Sequence, residues 1–285
     1  MIYLIISIVA SVSVSVLLKI AKKNKIHIAQ AVAFNYPIAI ILSFIFLQPN
    51  LDNFDLKNQS FLFISLGILL PLIFIVMGWA VQKNGIAKAD VAQRLSLVIT
   101  LFVAFLFWNE SLSQQKLIGI GFAFVALLLI LTKQKSSGKT GKWNWIYLLM
   151  VWAGYGIIDL LFKLISRTSE STFGTTLTLS FCLATIIIFT YLFIKKTKFN
   201  QASILGGFIL GILNFTNIYS YIKAHQFMSE SPSLVFTGMN LGVIVLGTLL
   251  GTLIFNEKLN RYNYYGIGLA VIAISLLFIN FQRLF

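Results

Sequence analysis

Ten separate stretches of this chain stay apolar for about 20 residues each, the length an α-helix needs to cross the hydrocarbon of a bilayer. They fall at 2–20, 28–47, 60–81, 89–108, 115–132, 144–165, 172–194, 202–222, 232–255 and 262–281. Backbone in lipid must satisfy its own hydrogen bonds, so only helices and closed barrels can span it. Barrel strands are about ten residues long and alternate in polarity, whereas these runs are twice that length. The Ser-Val alternation at 11–16 lies inside a longer apolar run and is read as helix. Of the 285 residues 58% are hydrophobic and 11% charged, against roughly 25% charged in soluble domains. A soluble enzyme and a secreted disulfide scaffold are both excluded. The expected fold is an all-α membrane protein of ten transmembrane helices.

The ends of the first run decide its nature. No Lys or Arg precedes it, while Lys19, Lys22, Lys23 and Lys25 follow, the reverse of a cleaved signal peptide. The single Cys182 lies in the seventh run, where it has no disulfide partner and reads as a packed apolar thiol. No metal site is expected, because His27 and His225 stand alone at the edges of spans.

The chain is written twice. Trp108-Asn109-Glu110-Ser111-Leu112, followed by Gly119-Ile120-Gly121-Phe122-Ala123, returns as Phe255-Asn256-Glu257-Lys258-Leu259, followed by Gly266-Ile267-Gly268-Leu269-Ala270. Positions 257 and 110 differ by 147, and so do 266 and 119. Two five-helix repeats are expected, 1–133 and 143–285, joined by a linker containing Ser136-Ser137-Gly138. Five is odd, so the second copy should enter the membrane inverted. Basic residues test this: those of loops 1–2, 3–4, 5–6, 7–8 and 9–10, from Lys22 to Arg261, outnumber Lys57, Lys116, Arg167 and Arg283 on the other face. The positive-inside rule then puts the basic loops in the cytoplasm and both termini outside. The same distribution reassigns the net charge of +14. Spread over short loops on one face, it sets topology and attracts anionic lipid, and a nucleic-acid partner is not expected.

With these features the chain resembles the drug/metabolite transporter superfamily in its ten-span, EamA-type branch. The resemblance covers essentially the whole chain. It rests on the glutamate closing the fourth span of each copy before a glycine-bearing fifth span, Glu110 with Gly119 and Glu257 with Gly266. It implies two five-helix EamA-like repeats and a central cavity reached alternately from each side, through which small solutes such as amino acids, metabolites or drugs are moved. Many members have Gly before that glutamate, where this chain has Asn109 and Asn256. Many also have Pro about thirteen residues before it, where this chain has Leu97 and Ile244, so no proline kink is expected in those spans. Members usually keep both termini in the cytoplasm, and this chain's charges favour the opposite orientation.

Polar residues inside the spans are costly in lipid, which makes them candidates for a substrate site. Ser7, Ser11, Ser15 and Lys19 fall four apart on the first helix and form one stripe. Tyr155, Asp159 and Lys163 repeat that device on the sixth, each 144 residues on from Ser11, Ser15 and Lys19. Asp159 and Lys163, at i and i+4, place carboxylate and ammonium side by side. They either touch substrate or carry a coupling proton, or else form a structural ion pair. Gln93 and Asn240 match under the offset of 147, and Asn214, Asn217 and Tyr221 make a stripe on the eighth span. Trp79 and Trp152 add aromatic faces. Such a lining suits an amphipathic or zwitterionic small molecule, with helix–helix hydrogen bonding as the competing explanation for each amide.

Other features read as structure. Glu110 and Glu257 sit at helix–helix turns, where each caps the next helix and faces interfacial water. Asp90 and Arg94 are an i, i+4 clamp at the entry to span four. Gly207 and Gly211, and the glycines of span nine, allow close helix approach, within the chain or across a homodimer seam.

The expected function is therefore a secondary transporter of a small organic solute in a cell membrane, a bacterial inner membrane, acting as an exporter and as a monomer or homodimer. No cofactor is expected, and without a P-loop ATP does not drive it directly; protons are the candidate coupling ion. A membrane-embedded enzyme acting on a lipid-like substrate, or a scaffold without transport, are the alternatives. The 8 acidic residues are too scattered for metal-phosphate chemistry.

Overall fold

The apolar runs become helices throughout the computed structural model, which describes residues 1–21, 26–52, 54–84, 86–108, 110, 113–131, 144–255 and 260–278. The helices are α1 (Ile2–Ala21), α2 (Ile28–Leu47), α3 (Leu56–Asn84), α4 (Ile86–Leu95), α5 (Leu97–Leu106), α6 (Gln114–Leu131), α7 (Trp145–Ser166), α8 (Glu170–Ile194), α9 (Gln201–Phe227), α10 (Pro232–Phe255) and α11 (Arg261–Phe278). Among the described residues, nine stretches are long and apolar enough to cross a membrane, with α4 and α5 together forming one, and Gln114–Ile130 is a shorter apolar tenth. The chain is a multi-pass membrane protein.

Two elements depart from the sequence expectation. Span eight continues past residue 222 to Phe227, which draws Lys223 and His225 into α9. Span four is broken at Ser96 although no proline stands there. Ser96 N–H donates back to the Gln93 carbonyl and Ile99 N–H to that of Ser96, so the ladder tightens to i→i+3 bonds at the break. The Ser96 hydroxyl also binds the Gln93 carbonyl, at 2.6 Å, a side-chain bond that bends helices. The span is thus interrupted at a serine, without a proline.

The helices fall into two compact units. The first holds Met1–Gly78 with Ile157–Gln226, and the second Trp79–Gly156 with Phe227–Phe285. Each unit thus combines helices from both sequence copies: α1, α2, α8 and α9 with most of α3 and the C-terminal part of α7 in the first, and α4, α5, α6, α10 and α11 with the N-terminal part of α7 in the second.

Corresponding spans pack together inside these units: α2 with α8 in the first, α6 with α11 and α5 with α10 in the second. Glycine makes two of these approaches possible. A Cβ on Gly266 would stand 2.6 Å from Ile130 Cγ1 and 3.0 Å from the Ala126 carbonyl oxygen. A Cβ on Gly174 would stand 2.9 Å from the Leu47 carbonyl oxygen. In the first unit Gly207 and Gly211 likewise let α9 lie against Ala31, Phe34, Asn35 and Ile38 of α2. The small-residue spacing of α9 serves packing within the chain.

Candidate functional site

The most unusual side chain of the first unit is Lys163 on α7, which is 0% exposed. A bare ammonium in that setting would carry a desolvation penalty of several kcal/mol, so its surroundings define what the site can do. Its Nζ donates to the His225 carbonyl at 3.4 Å. That carbonyl lies in the last turn of α9, at the negative end of the helix dipole. Asp159, one turn earlier on α7, is half-buried and close enough to the Tyr221 hydroxyl of α9 to act on it electrostatically. Tyr221 packs edge-on against Phe162 at 6.3 Å and against His225 at 4.9 Å. The half-buried Asp159 and the buried Lys163, Tyr221 and His225 thus form one group of ionisable side chains on α7 and α9.

The candidate amides of α9 have structural partners. Asn217 Nδ2 donates to the Ser7 carbonyl at 2.8 Å and to the Ser7 hydroxyl at 3.0 Å, and Ser7 returns a bond of 3.2 Å to the Asn217 carbonyl. Asn214 Nδ2 donates to Asn35 Oδ1 of α2 at 3.2 Å. Ser7 and Asn35 are fully buried. The two asparagines therefore hold α9 to α1 and α2, the helix–helix alternative raised by the sequence.

On α1, Ser15 and Lys19 are exposed, and the Ser15 hydroxyl bonds the Ser11 carbonyl of its own helix. Their counterparts on α7 are buried or half-buried, so the two stripes occupy different surroundings.

In the second unit the candidates are more dispersed. Trp152 Nε1 donates to the Leu95 carbonyl at 3.0 Å, at the break in span four. Gly156, one turn on, lets α7 lie against Ile99 of α5. Gln93 lends its carbonyl to Ser96, and its side chain is half-buried. Asn240 Nδ2 donates to the Phe236 carbonyl of its own helix at 3.1 Å. Trp79 packs against Tyr147 at 6.1 Å, and Tyr155 is half-buried. No hydrogen bond joins Gln93 to Asn240 among the described contacts.

The glutamate of the repeated motif does something the sequence did not predict. Glu110 was expected to cap the following helix and face water, yet its side chain is 1% exposed and caps α10. Oε2 accepts the Ser233 backbone N–H at 2.9 Å, and Oε1 accepts the Ser233 hydroxyl at 2.6 Å. Ser233 is the second residue of α10, so its N–H is one of the donors a helix start leaves unpaired. Lys116 completes the clamp, with Nζ 3.1 Å from Glu110 Oε1 and 3.0 Å from the Ser231 hydroxyl. Pro232, which has no N–H to satisfy, stands between them at the first helical position. Glu257 lies outside the described residues. Gly119 meets Leu277 of α11 and Gly266 meets Ile130 of α6, as packing glycines of the paired fifth spans. The Asp90–Arg94 clamp is present, at 3.5 Å.

Sequence reasoning passed over Asn35, Glu170 and Lys223. Asn35 is an amide inside an apolar run, the signal already used for its partners. Lys223 stood one residue past the expected end of span eight, and Glu170 two residues before the expected start of span seven.

The sequence matches the family described as the EamA-like transporter family twice, at 1–132 and 142–279. An uncharacterized protein of Haemophilus influenzae (strain ATCC 51907 / DSM 11121 / KW20 / Rd) is 45% identical over 282 residues, spanning 96% of this chain and 97% of its own. A protein crystal structure superposes with a TM-score of 0.71 at 16% identity, covering 96% of this chain and 97% of that one. At that identity the likeness concerns the fold alone.

Proposed function

We propose that this chain, which belongs to the EamA-like transporter family, moves a small organic solute across a bacterial inner membrane by alternating access. The observation that carries this reading is the fully buried Lys163, on the same face of α7 as Asp159 and beside Tyr221 and His225 of α9. Ionisable groups are expensive inside a membrane and concentrate where a substrate or coupling ion must be met. In this reading Asp159 and Tyr221 meet the solute or a coupling proton, and Lys163 balances the carboxylate. Tyr155 and Trp152 continue the α7 surface toward the solute, and Lys19 and Ser15 belong to the access path. Within the second unit Gln93, Asn240 and Trp79 are the polar and aromatic candidates for solute contact, while in the first Asn214 and Asn217 position Tyr221 by fixing α9.

The two EamA matches cover five spans each, α4 and α5 counting as one, and an odd number of crossings supports an inverted repeat. With the basic loops in the cytoplasm, both termini lie outside. The solute is an amino acid, metabolite or drug-like molecule, and the direction is export.

Reconstitution into liposomes tests the reading. Solute flux driven by a pH gradient is expected for the wild type and is abolished by Asp159→Asn at unchanged expression. Undiminished flux in that variant overturns the role of Asp159. Product formation without flux identifies a membrane-embedded enzyme, and neither activity identifies a scaffold.

A further inference from the structure

A second charged group lies where α8 begins and α9 ends, and it has the composition of a cation site. Lys223 Nζ pairs with Glu170 Oε1. The same ammonium stands 5.9 Å from the ring centroid of Phe173 and 5.8 Å from that of Tyr219. The two rings stack on each other at 6.3 Å with 21° between their planes, and Phe215 continues the stack at 5.9 Å and 7°. One carboxylate and two aromatic faces converging on one ammonium is the donor set by which proteins recognise alkylammonium ligands. We propose that Glu170, Phe173 and Tyr219 form a binding site for an organic ammonium cation, which Lys223 occupies in this structure as a tethered surrogate.

Burial divides the parts of this site by role. Phe173 is fully buried, so its ring is locked in the helix packing. The Glu170 side chain is 75% exposed and can be reached from water, whereas that of Lys223 is 12% exposed. An ion pair alone would need only the carboxylate, which an extended lysine could meet in water. Here the ammonium is instead drawn over the aromatic stack and out of solvent. Lysine is also the mobile member, a compact charge on a flexible four-carbon stem. An incoming cation takes its place over the rings while Lys223 swings out to water. Neither the rings nor the carboxylate requires an N–H donor, so methylated ammonium groups, which shed water more readily than lysine, are suited to compete. The site deepens the transport reading by naming an organic cation as substrate class; its link to transport rests on that reading, its binding does not.

The test is titration of full-length protein in detergent with tetramethylammonium, followed by isothermal titration calorimetry. K223Q is expected to bind at least about tenfold more tightly than wild type, equivalent to about 1.4 kcal/mol. The double variants K223Q/E170Q and K223Q/Y219L should fall back to the wild-type level. K223A serves if K223Q lacks a cooperative thermal transition. Binding in the folded lysine variant that is no tighter than wild type overturns the proposal, and so does tight binding that survives both second substitutions. Absence of solute flux in liposomes with this binding intact would overturn the transport reading and leave the site standing.

Discussion

The indole N–H of Trp152 donates to the carbonyl of Leu95 across 3.0 Å. In a continuous helix that carbonyl would receive the N–H of Ile99, which here donates to Ser96 at 2.9 Å instead. The break in span four therefore leaves an acceptor that a side chain from another helix satisfies. The other copy has no such device: its corresponding span is the unbroken α10. One fourth span is interrupted and its counterpart is continuous, although their sequences align.

This asymmetry makes proline informative. Leu97 is the first residue of α5 and Ile244 lies inside α10. Proline at 97 removes no bond of the interrupted ladder but crowds Ser96, which stays in the helical region, whereas in a helix interior it removes a bond as well and costs about 3 kcal/mol or more. Both side chains are buried, so the packing lost is comparable. Leu97→Pro is expected to be less destabilising than Ile244→Pro by about 2 kcal/mol, as read from thermal unfolding in detergent. Equal losses would mean that the break at Ser96 is absent in the folded protein.

Removal of the Glu110 carboxylate leaves the Ser233 N–H unpaired and Lys116 without its counter-charge. Loss of a helix cap costs about 1 kcal/mol, and breaking a buried ion pair costs up to 3–5 kcal/mol. Lys116 retains some solvent, which lowers the second figure. Glu110→Ala is therefore expected to lower stability by about 2–3 kcal/mol, and Lys116→Ala by less. In a double-mutant cycle the two losses should fall short of additive, and strict additivity would remove Lys116 from the clamp.

Two glycines of α11 give opposite expectations. A Cβ on Gly266 meets backbone as well as side-chain atoms of α6, so Gly266→Ala should cost about 1–3 kcal/mol by overpacking and loosen the α6–α11 pair. A Cβ on Gly268, two residues along, meets nothing within 4 Å. There alanine should be neutral or stabilise by up to about 1 kcal/mol through its higher helix propensity. The comparison is read from melting temperatures of the two variants, and a larger loss at Gly268 would contradict the packing of α11 on α6.

Most of the architecture was legible in the chain itself, because the features that specify it are local. A run of about 20 apolar residues is a span wherever it occurs, and a constant offset of 147 declares a repeat without reference to any contact. The polar residues that would matter were also visible, since an Asn, Asp or Lys in an apolar run stands out. Their partners were not. Ser7 and Asn217 meet across 210 positions, and Glu110 and Ser233 across 123. A hydrogen bond depends on where two helices are carried by everything between them. Tertiary structure alone therefore decided that Asn217 clamps helices while Lys163 is buried beside Tyr221 and His225. It also decided that Glu110 holds a distant helix rather than its neighbour, and that Ser96 interrupts a span with no proline in it.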